Sequence, residues 1–421
     1  MTQDGLSERG SANVEPILPV IRKEAEERKK RNIPMIDLAK AENVLIRPEV
    51  LEIYKKAIVD NLESSHLSYP KGTFGDPVLH TRLADFFNTY FNPAIPVTPD
   101  HLVTAPGAST CLDALMFNIC NPGDAVLIPG PYWSAFDFKL RARSLVETIP
   151  VNVDNFSETF TPKLIPALEA ALQMSARPVR ALLMTNPHNP LGQCYPQTVL
   201  EECLKFCHAH GIHYISDEVY ALSQFPNPHL ANPPPFVSAL SLDLHALGCD
   251  SKLVHTVWSA SKDFGSSGIR LGCIVTQANH ALAAGSVIAA NEQTSSLSAV
   301  ALSGLLRSPR LPDLLALNAA RLADAYRTVT HFLTAHGVEF VPATAGVFVF
   351  ARLAPGVRTW EEEAEAVARL RGAGVLVGAG RGFRGGEREK GWVRIVFAGD
   401  PAELRKGLDV IAFTLFRGQD K

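Results

Sequence analysis

Between residues 100 and 276 short apolar runs alternate with helical patterns, and this alternation restricts the fold more than any other feature of the chain. The runs are His101 to Thr104, Ala125 to Pro129, Val179 to Thr185, Ile212 to Asp217, Leu253 to Trp258 and Leu271 to Thr276. Helical patterns over Cys111 to Ile119 and Glu201 to His210 lie between them, the second closed by Gly211. Strand and helix in turn predict an α/β fold, a doubly wound and mostly parallel sheet covered on both faces, hence three layers.

Open sheets of this kind bind ligands beyond the carboxyl ends of their strands, so the residues at those ends carry the functional reading. The first strand ends in Pro106-Gly107-Ala108-Ser109-Thr110, whose small residues open a helix and leave amides for an anion. The second ends in Gly130-Pro131-Tyr132-Trp133, the third in Asn186-Pro187-His188-Asn189 and the fourth in Asp217-Glu218-Val219-Tyr220. The fifth runs through Ser259-Ala260-Ser261 into Lys262, with Arg270 eight residues on. Each ending has an ordinary structural explanation: a helix cap, aromatic core packing, a surface lysine in a Ser/Gly loop.

Together they supply the parts of a pyridoxal 5'-phosphate (PLP) site. An amine beside a bound phosphate suits a Schiff-base cofactor, and Lys262 supplies it. A carboxylate must keep the ring nitrogen protonated, which falls to Asp217. The ring oxygen needs donors, Asn189 and Tyr220. Trp133 offers a face for stacking, with Tyr132 as its helper. Arg270, Ser259, Ser261 or the amides of 108–110 would hold the phosphate. Arg394, in a later apolar run, suits a substrate carboxylate because a guanidinium binds it through two parallel hydrogen bonds.

The segments SASKDFGSSGIRLG, TNPHNPLGQ, ISDEVYA, PGPYW and GWVRIVFA resemble the motifs of fold-type I PLP enzymes, the class I/II aminotransferases. AENVLIRPE, LSYPKGTFGDPVL and the SKDFG form are similar to the 1-aminocyclopropane-1-carboxylate (ACC) synthase-like branch, fungal members included. The resemblance runs from about residue 36 to about residue 415. It implies an aspartate aminotransferase-like large domain with a smaller α+β domain. It implies Lys262 as the Schiff-base lysine, Asp217 at the pyridine nitrogen, Asn189 and Tyr220 at the ring oxygen and Trp133 on the ring. Ala108, Ser109, Ser259 and Arg270 would hold the phosphate, and Arg394 the substrate carboxylate. Glu42 keeps the branch's N-terminal motif and is a candidate substrate-binding residue. Tyr69 matches a tyrosine that reaches the neighbouring subunit's cofactor, which implies a homodimer with shared sites. Thr73-Phe74-Gly75, where plant ACC synthases carry Tyr-His-Gly, and Pro106, where the family has glycine, count against ACC synthesis.

Outside the sheet region, residues 1 to about 20 read as disordered and Ile21 to Arg31 as a charged helix, together an N-terminal arm over 1–35. Residues 36–310 form the expected large cofactor-binding domain and 311–421 the small one, with 36–60 able to pack on the latter. After the lysine strand pair helices dominate, and Asn279 to Leu306 is Ala/Ser-rich. The Gly/Arg-rich loop 378–391 is either a flexible surface loop or an active-site rim. A net charge of −3 gives no footprint for nucleic acid, and no apolar run reaches the length of a membrane span. Seven cysteines without a CxxC pair read as reduced core thiols, hence a cytoplasmic protein; no metal site is expected.

The expected function is an aminotransferase acting on an α-amino acid and a 2-oxo acid through a Cα carbanion, with a place in secondary metabolism. The alternative is an ACC synthase-like or carbon–sulfur lyase, which shares the early steps. A non-catalytic regulator that binds PLP is the remote alternative; such proteins add an N-terminal DNA-binding domain, and only about 35 residues precede the first motif.

Overall fold

The computed structural model describes residues 5–30, 34–69, 72–228, 230–290, 294–386 and 389–416. Twelve strands among these residues form two sheets. In chain order they are β1 (Ile36–Leu38), β2 (Leu102–Ala105), β3 (Ala125–Pro129), β4 (Glu147–Val151), β5 (Val179–Thr185) and β6 (His213–Asp217). There follow β7 (Val254–Ser259), β8 (Gly272–Val275), β9 (Phe340–Val341), β10 (Phe348–Ala351), β11 (Val375–Ala379) and β12 (Val393–Val396).

The larger sheet has the order β2-β8-β7-β6-β5-β3-β4. The neighbours from β7 to β4 pair in parallel, and β8 alone runs antiparallel to both of its neighbours. Its strands are apolar on both faces, as a sheet covered on both sides requires. Val126, Ile128, Ala181 and Leu183 pack with helices Ala108–Ile119 and His280–Ala290. Their neighbours Ala125, Leu127, Leu182 and Met184 pack with helices Leu164–Met174 and Gln197–Ala209 on the other side. That period of two makes three layers.

The smaller sheet has the order β1-β11-β12-β10-β9, antiparallel except for β1 with β11. The pairing of Ile36 with Val375 brings the start of the family-like region into the C-terminal sheet. The following helix, Arg47–Asn61, packs instead with Pro77–Tyr90 and Ser296–Leu306 against the larger sheet. Residues 39–46 therefore cross from one sheet to the other, over the ends of β6 and β7.

One expectation is corrected. Within 1–20, Glu8–Val14 is a helix capped by the Ser7 side chain, and Asn13 Nδ2 donates to Ala142 O at 2.7 Å. A second helix covers Leu18–Lys30; Arg31 lies outside the described residues. The Ala/Ser-rich stretch Asn279 to Leu306 holds the helices His280–Ala290 and Ser296–Leu306.

Candidate active site

Strands β5, β6 and β7 end side by side, and the helix Ala108–Ile119 starts beside them. Above these ends lies a cavity of about 370 Å³. Ala108, Ser109, Trp133, Asn189, Asp217, Tyr220, Ser259, Lys262, Arg270 and Arg394 all line it. With Ser261, which also lines it, one hollow thus collects eleven of the residues singled out from sequence.

Lys262 sits in the helical turn Ala260–Asp263, directly after β7. Its Nζ donates to Ala41 O in the crossing segment. Burial, then the nearby Arg394 charge, hold the amine down at about 8 against an ordinary 10.5. Asp217 is the last residue of β6 and is buried, and its Oδ1 has no hydrogen-bond partner. Burial pushes its carboxyl up to about 7, opposed by the Val219 amide and by Lys262. A buried acceptor without a donor is costly unless a ligand supplies one. Tyr220 stands edge-on to Phe348 with ring centres 5.3 Å apart, and burial pushes its phenol well up.

At the other end of the cavity, Gly107 takes a φ of +90°, open to glycine at little cost, and any side chain there would collide with the Arg270 guanidinium. The amides of Thr110 and Cys111 turn back to Gly107 O. The helix start is left with the amides of Ala108 and Ser109 as open donors. Arg270 lies beside it, donating to Pro106 O and Ser267 O at 2.8 Å each. Ser259 Oγ accepts from Ser261 N at 3.1 Å and donates to Ser261 Oγ at 2.8 Å. Amides, hydroxyls and a guanidinium converge here without a carboxylate, which is the donor set of an anion site.

Arg394 projects from β12. One terminal nitrogen donates to Asn189 Oδ1 at 2.8 Å and the other to Ala39 O at 2.8 Å. Its side chain is 5% exposed, and its Nε has no partner. The guanidinium lies 4.9 Å from the ring centres of both Phe348 and Phe383. Burial lowers its pKa.

Three sequence candidates fall outside this hollow. Tyr132 is buried with its hydroxyl on Asp137 Oδ1 at 2.6 Å, so Trp133 alone of the pair meets the cavity. Neighbouring residues of an extended segment point to opposite sides. Glu42 binds Arg47 at 2.6 Å and Lys40 at 2.9 Å and does not line the cavity. Burial alone would raise its carboxyl, but the bonds from Lys40 and Arg47 outweigh it and hold the group down. Tyr69 is 97% exposed and lines a separate open groove of about 1510 Å³ with Leu67, Phe74, Ile288 and Leu297. The sequence reading missed Thr185, Val219, Ser267 and the backbone of Ala39 to Ala41 as cavity lining, and missed Phe348 and Phe383 around Arg394. A lone phenylalanine inside the polar loop 378–391 was the available signal for the last.

The cavity therefore pairs an amine held near 8 with a buried carboxylate whose Oδ1 lacks a donor, between an anion nest and an unneutralised guanidinium. That arrangement suits a planar cationic ring carrying a phosphate, and a carboxylate ligand beside it. The family model described as Aminotransferase class I and II matches residues 34–411. A relative named probable aminotransferase aclI, from Aspergillus oryzae, is 53% identical over 394 residues, covering 94% of each chain. Another, named probable aminotransferase sirI, from Leptosphaeria maculans, is 44% identical and covers 93% of this chain and 94% of its own. A mutant aspartate aminotransferase of Thermus thermophilus superposes with a TM-score of 0.78 at 24% identity, over 98% of this chain and 100% of that one.

Proposed function

The chain belongs to the class I and II aminotransferase family, and from that premise we propose that its cavity holds PLP and transfers an amino group from an α-amino acid to a 2-oxo acid. The single observation that carries the reading is the donorless Oδ1 of Asp217 in the same hollow as Lys262. PLP, when bound, supplies the electron sink for charge formed at the substrate Cα. Asp217 would hold the proton on the pyridine nitrogen. Asn189 and Tyr220 would face the ring oxygen, and Trp133 would cover the ring. The amides of Ala108 and Ser109, the hydroxyl of Ser259 and Arg270 would hold the phosphate. Lys262 would carry the cofactor and then move the Cα proton, a task suited to an amine near 8. Arg394 would take the α-carboxylate, exchanging Ala39 O for it.

Tyr69 enters the proposal through a second copy of the chain. The exposed apolar residues Leu67, Tyr69, Ile288 and Leu297 flank one groove, which supports a homodimer covering them. Seven free cysteines, six of them buried, support a reducing, cytoplasmic setting. The relatives' fungal sources support a place in secondary metabolism. The test is incubation of the purified protein with a panel of amino acids, with and without 2-oxo acid acceptors. Pyridoxamine phosphate and a new amino acid are expected. Pyruvate, ammonia and a thiol released without an acceptor would replace the transfer reading with a lyase.

A further inference from the structure

The loop after β11 lies against the proposed carboxylate clamp. Glu363, buried at the start of helix Trp360–Gly372, pins both ends of the loop: its carboxylate accepts from Arg381 N at 2.7 Å and from Gly391 N at 2.8 Å. Between these points the short turn Gly380–Phe383 inserts Phe383, which is 4% exposed, beside Arg394. Phe383 O accepts from Tyr132 N at 2.6 Å, and Gly382 O from Ser134 N at 3.2 Å, on either side of Trp133. The next residue, Arg384, donates through Nε to Asp137 Oδ2 at 2.6 Å. Asp137 Oδ1 accepts from Tyr132 Oη and Thr148 Oγ1, each at 2.6 Å.

Two consequences follow from these contacts. Phe383 and Phe348 place two aromatic faces around one guanidinium, each centre 4.9 Å away. Among the described residues no carboxylate forms an ion pair with Arg394. A desolvated cation without a counter-charge is costly, and an aromatic face offsets part of that cost electrostatically. Unlike a carboxylate, a ring does this without neutralising the charge or occupying the outward-facing N–H groups, so the guanidinium stays available for an anion. The second consequence concerns position. Through Phe383 O and Arg384 the loop is fastened to the turn that bears Trp133, so one small element touches both the clamp and the ring-stacking residue.

We propose that Phe383, held in place by the Arg384–Asp137 ion pair, is a positioning and affinity-determining residue for the Arg394 carboxylate clamp. The proposal rests on Arg394 being that clamp. Phe348 is the second ring at this guanidinium, and it also meets Tyr220 edge-on.

The test uses the holoenzyme with pyruvate as probe, a 2-oxo acid with a single carboxylate, titrated calorimetrically. Phe383→Leu keeps an apolar side chain of similar bulk but removes the flat ring that holds the guanidinium in place; the expected Kd is raised roughly tenfold, because the clamp is no longer pre-organised for the carboxylate. Phe383→Trp is expected to bind within about twofold of the parent, since indole is the stronger cation–π partner. The visible absorption of the bound cofactor and its retention on gel filtration should not change in either. Arg384→Gln, an exposed change that does not threaten folding, should raise Kd by about two- to fivefold, the range of a partly exposed ion pair. Asp137→Asn combined with it should add little. Pyruvate binding to Phe383→Leu at the parental Kd, or loss in Phe383→Trp as large as in Phe383→Leu, would overturn the proposal. Arg394→Gln separates the two levels. If it binds pyruvate like the parent, the clamp assignment itself falls; if it does not, while Phe383→Leu does, only the role of Phe383 falls.

Discussion

The two ends of the cavity are built differently. The lysine–aspartate end consists of adjacent termini of β6 and β7, two parallel strands in the middle of the larger sheet. Its functional groups follow directly from strands buried on both faces. The arginine end is assembled from distant chain: β12 presents Arg394, residue 39 caps it with a carbonyl, Asn189 reaches it from the loop after β5, and Phe383 comes from the loop after β11. On the proposed function, covalent chemistry would fall to the end carried directly on two neighbouring strands. Recognition would fall to the end where several loops and two sheets meet, where substitutions could retune a pocket without moving the amine.

Substitutions at the two ends should therefore differ in kind and in size. Lys262→Ala is the largest: the visible band should disappear and activity fall by ~10⁴-fold or more, because both the attachment point and the proton carrier go. An unchanged spectrum would break the assignment of this end. Asp217→Asn should lose on the order of 10²–10³-fold in kcat with cofactor still bound. It should not lower the stability of the cofactor-free protein at pH 8. Burial raises this carboxyl to about 7 from 3.8, so its contribution to folding is present below the unfolded value and lost as pH rises through about 7. At pH 8 the variant removes a desolvated charge, and a lower Tm there would show that the Val219 amide and Lys262 stabilise the ionised carboxylate by more than its burial costs. At the other end, Arg394→Gln should raise KM for the amino donor and lower kcat/KM by about 10²-fold, from the loss of two charge-assisted hydrogen bonds. Cofactor content should stay at the parental level, and its loss would mean that the two ends are not separable.

The same contrast explains what could be read from the sequence. The strand ends were legible because β5, β6 and β7 are continuous apolar runs followed at once by polar chemistry. The stretch 135–174 drew no assignment, and it holds the helix Ala135–Ala142, β4 and the helix Leu164–Met174. Glu147–Val151 carries Pro150 and is largely half-exposed at the sheet edge, so neither periodicity nor apolar run marks it. The Tyr132–Trp133 pair was read as two ring-facing aromatics, and the alternation of an extended segment allows one. Tyr69 points away from its own chain's cavity, and only a second copy could bring such a residue to a site. The pairing of β1 with β11, and with it the cap of Ala39 on Arg394, depends on contacts more than 300 residues apart that no local pattern encodes.

The smallest effect tests whether the two ends communicate. The Lys262 amine is held at about 8 first by burial and then by the Arg394 charge. The rate at which cofactor-free protein captures PLP should track the neutral amine, since the charged form is no nucleophile. It should rise about tenfold per pH unit below 8 and level off above it. In Arg394→Gln the burial remains but the repelling charge is gone, so the midpoint should move up, toward the ordinary lysine range, while the plateau rate is kept. Stopped-flow capture at a series of pH values reads both quantities. An unmoved midpoint would mean that the clamp affects the amine only through bound substrate, and the separation between a covalent end and a recognition end would then be complete.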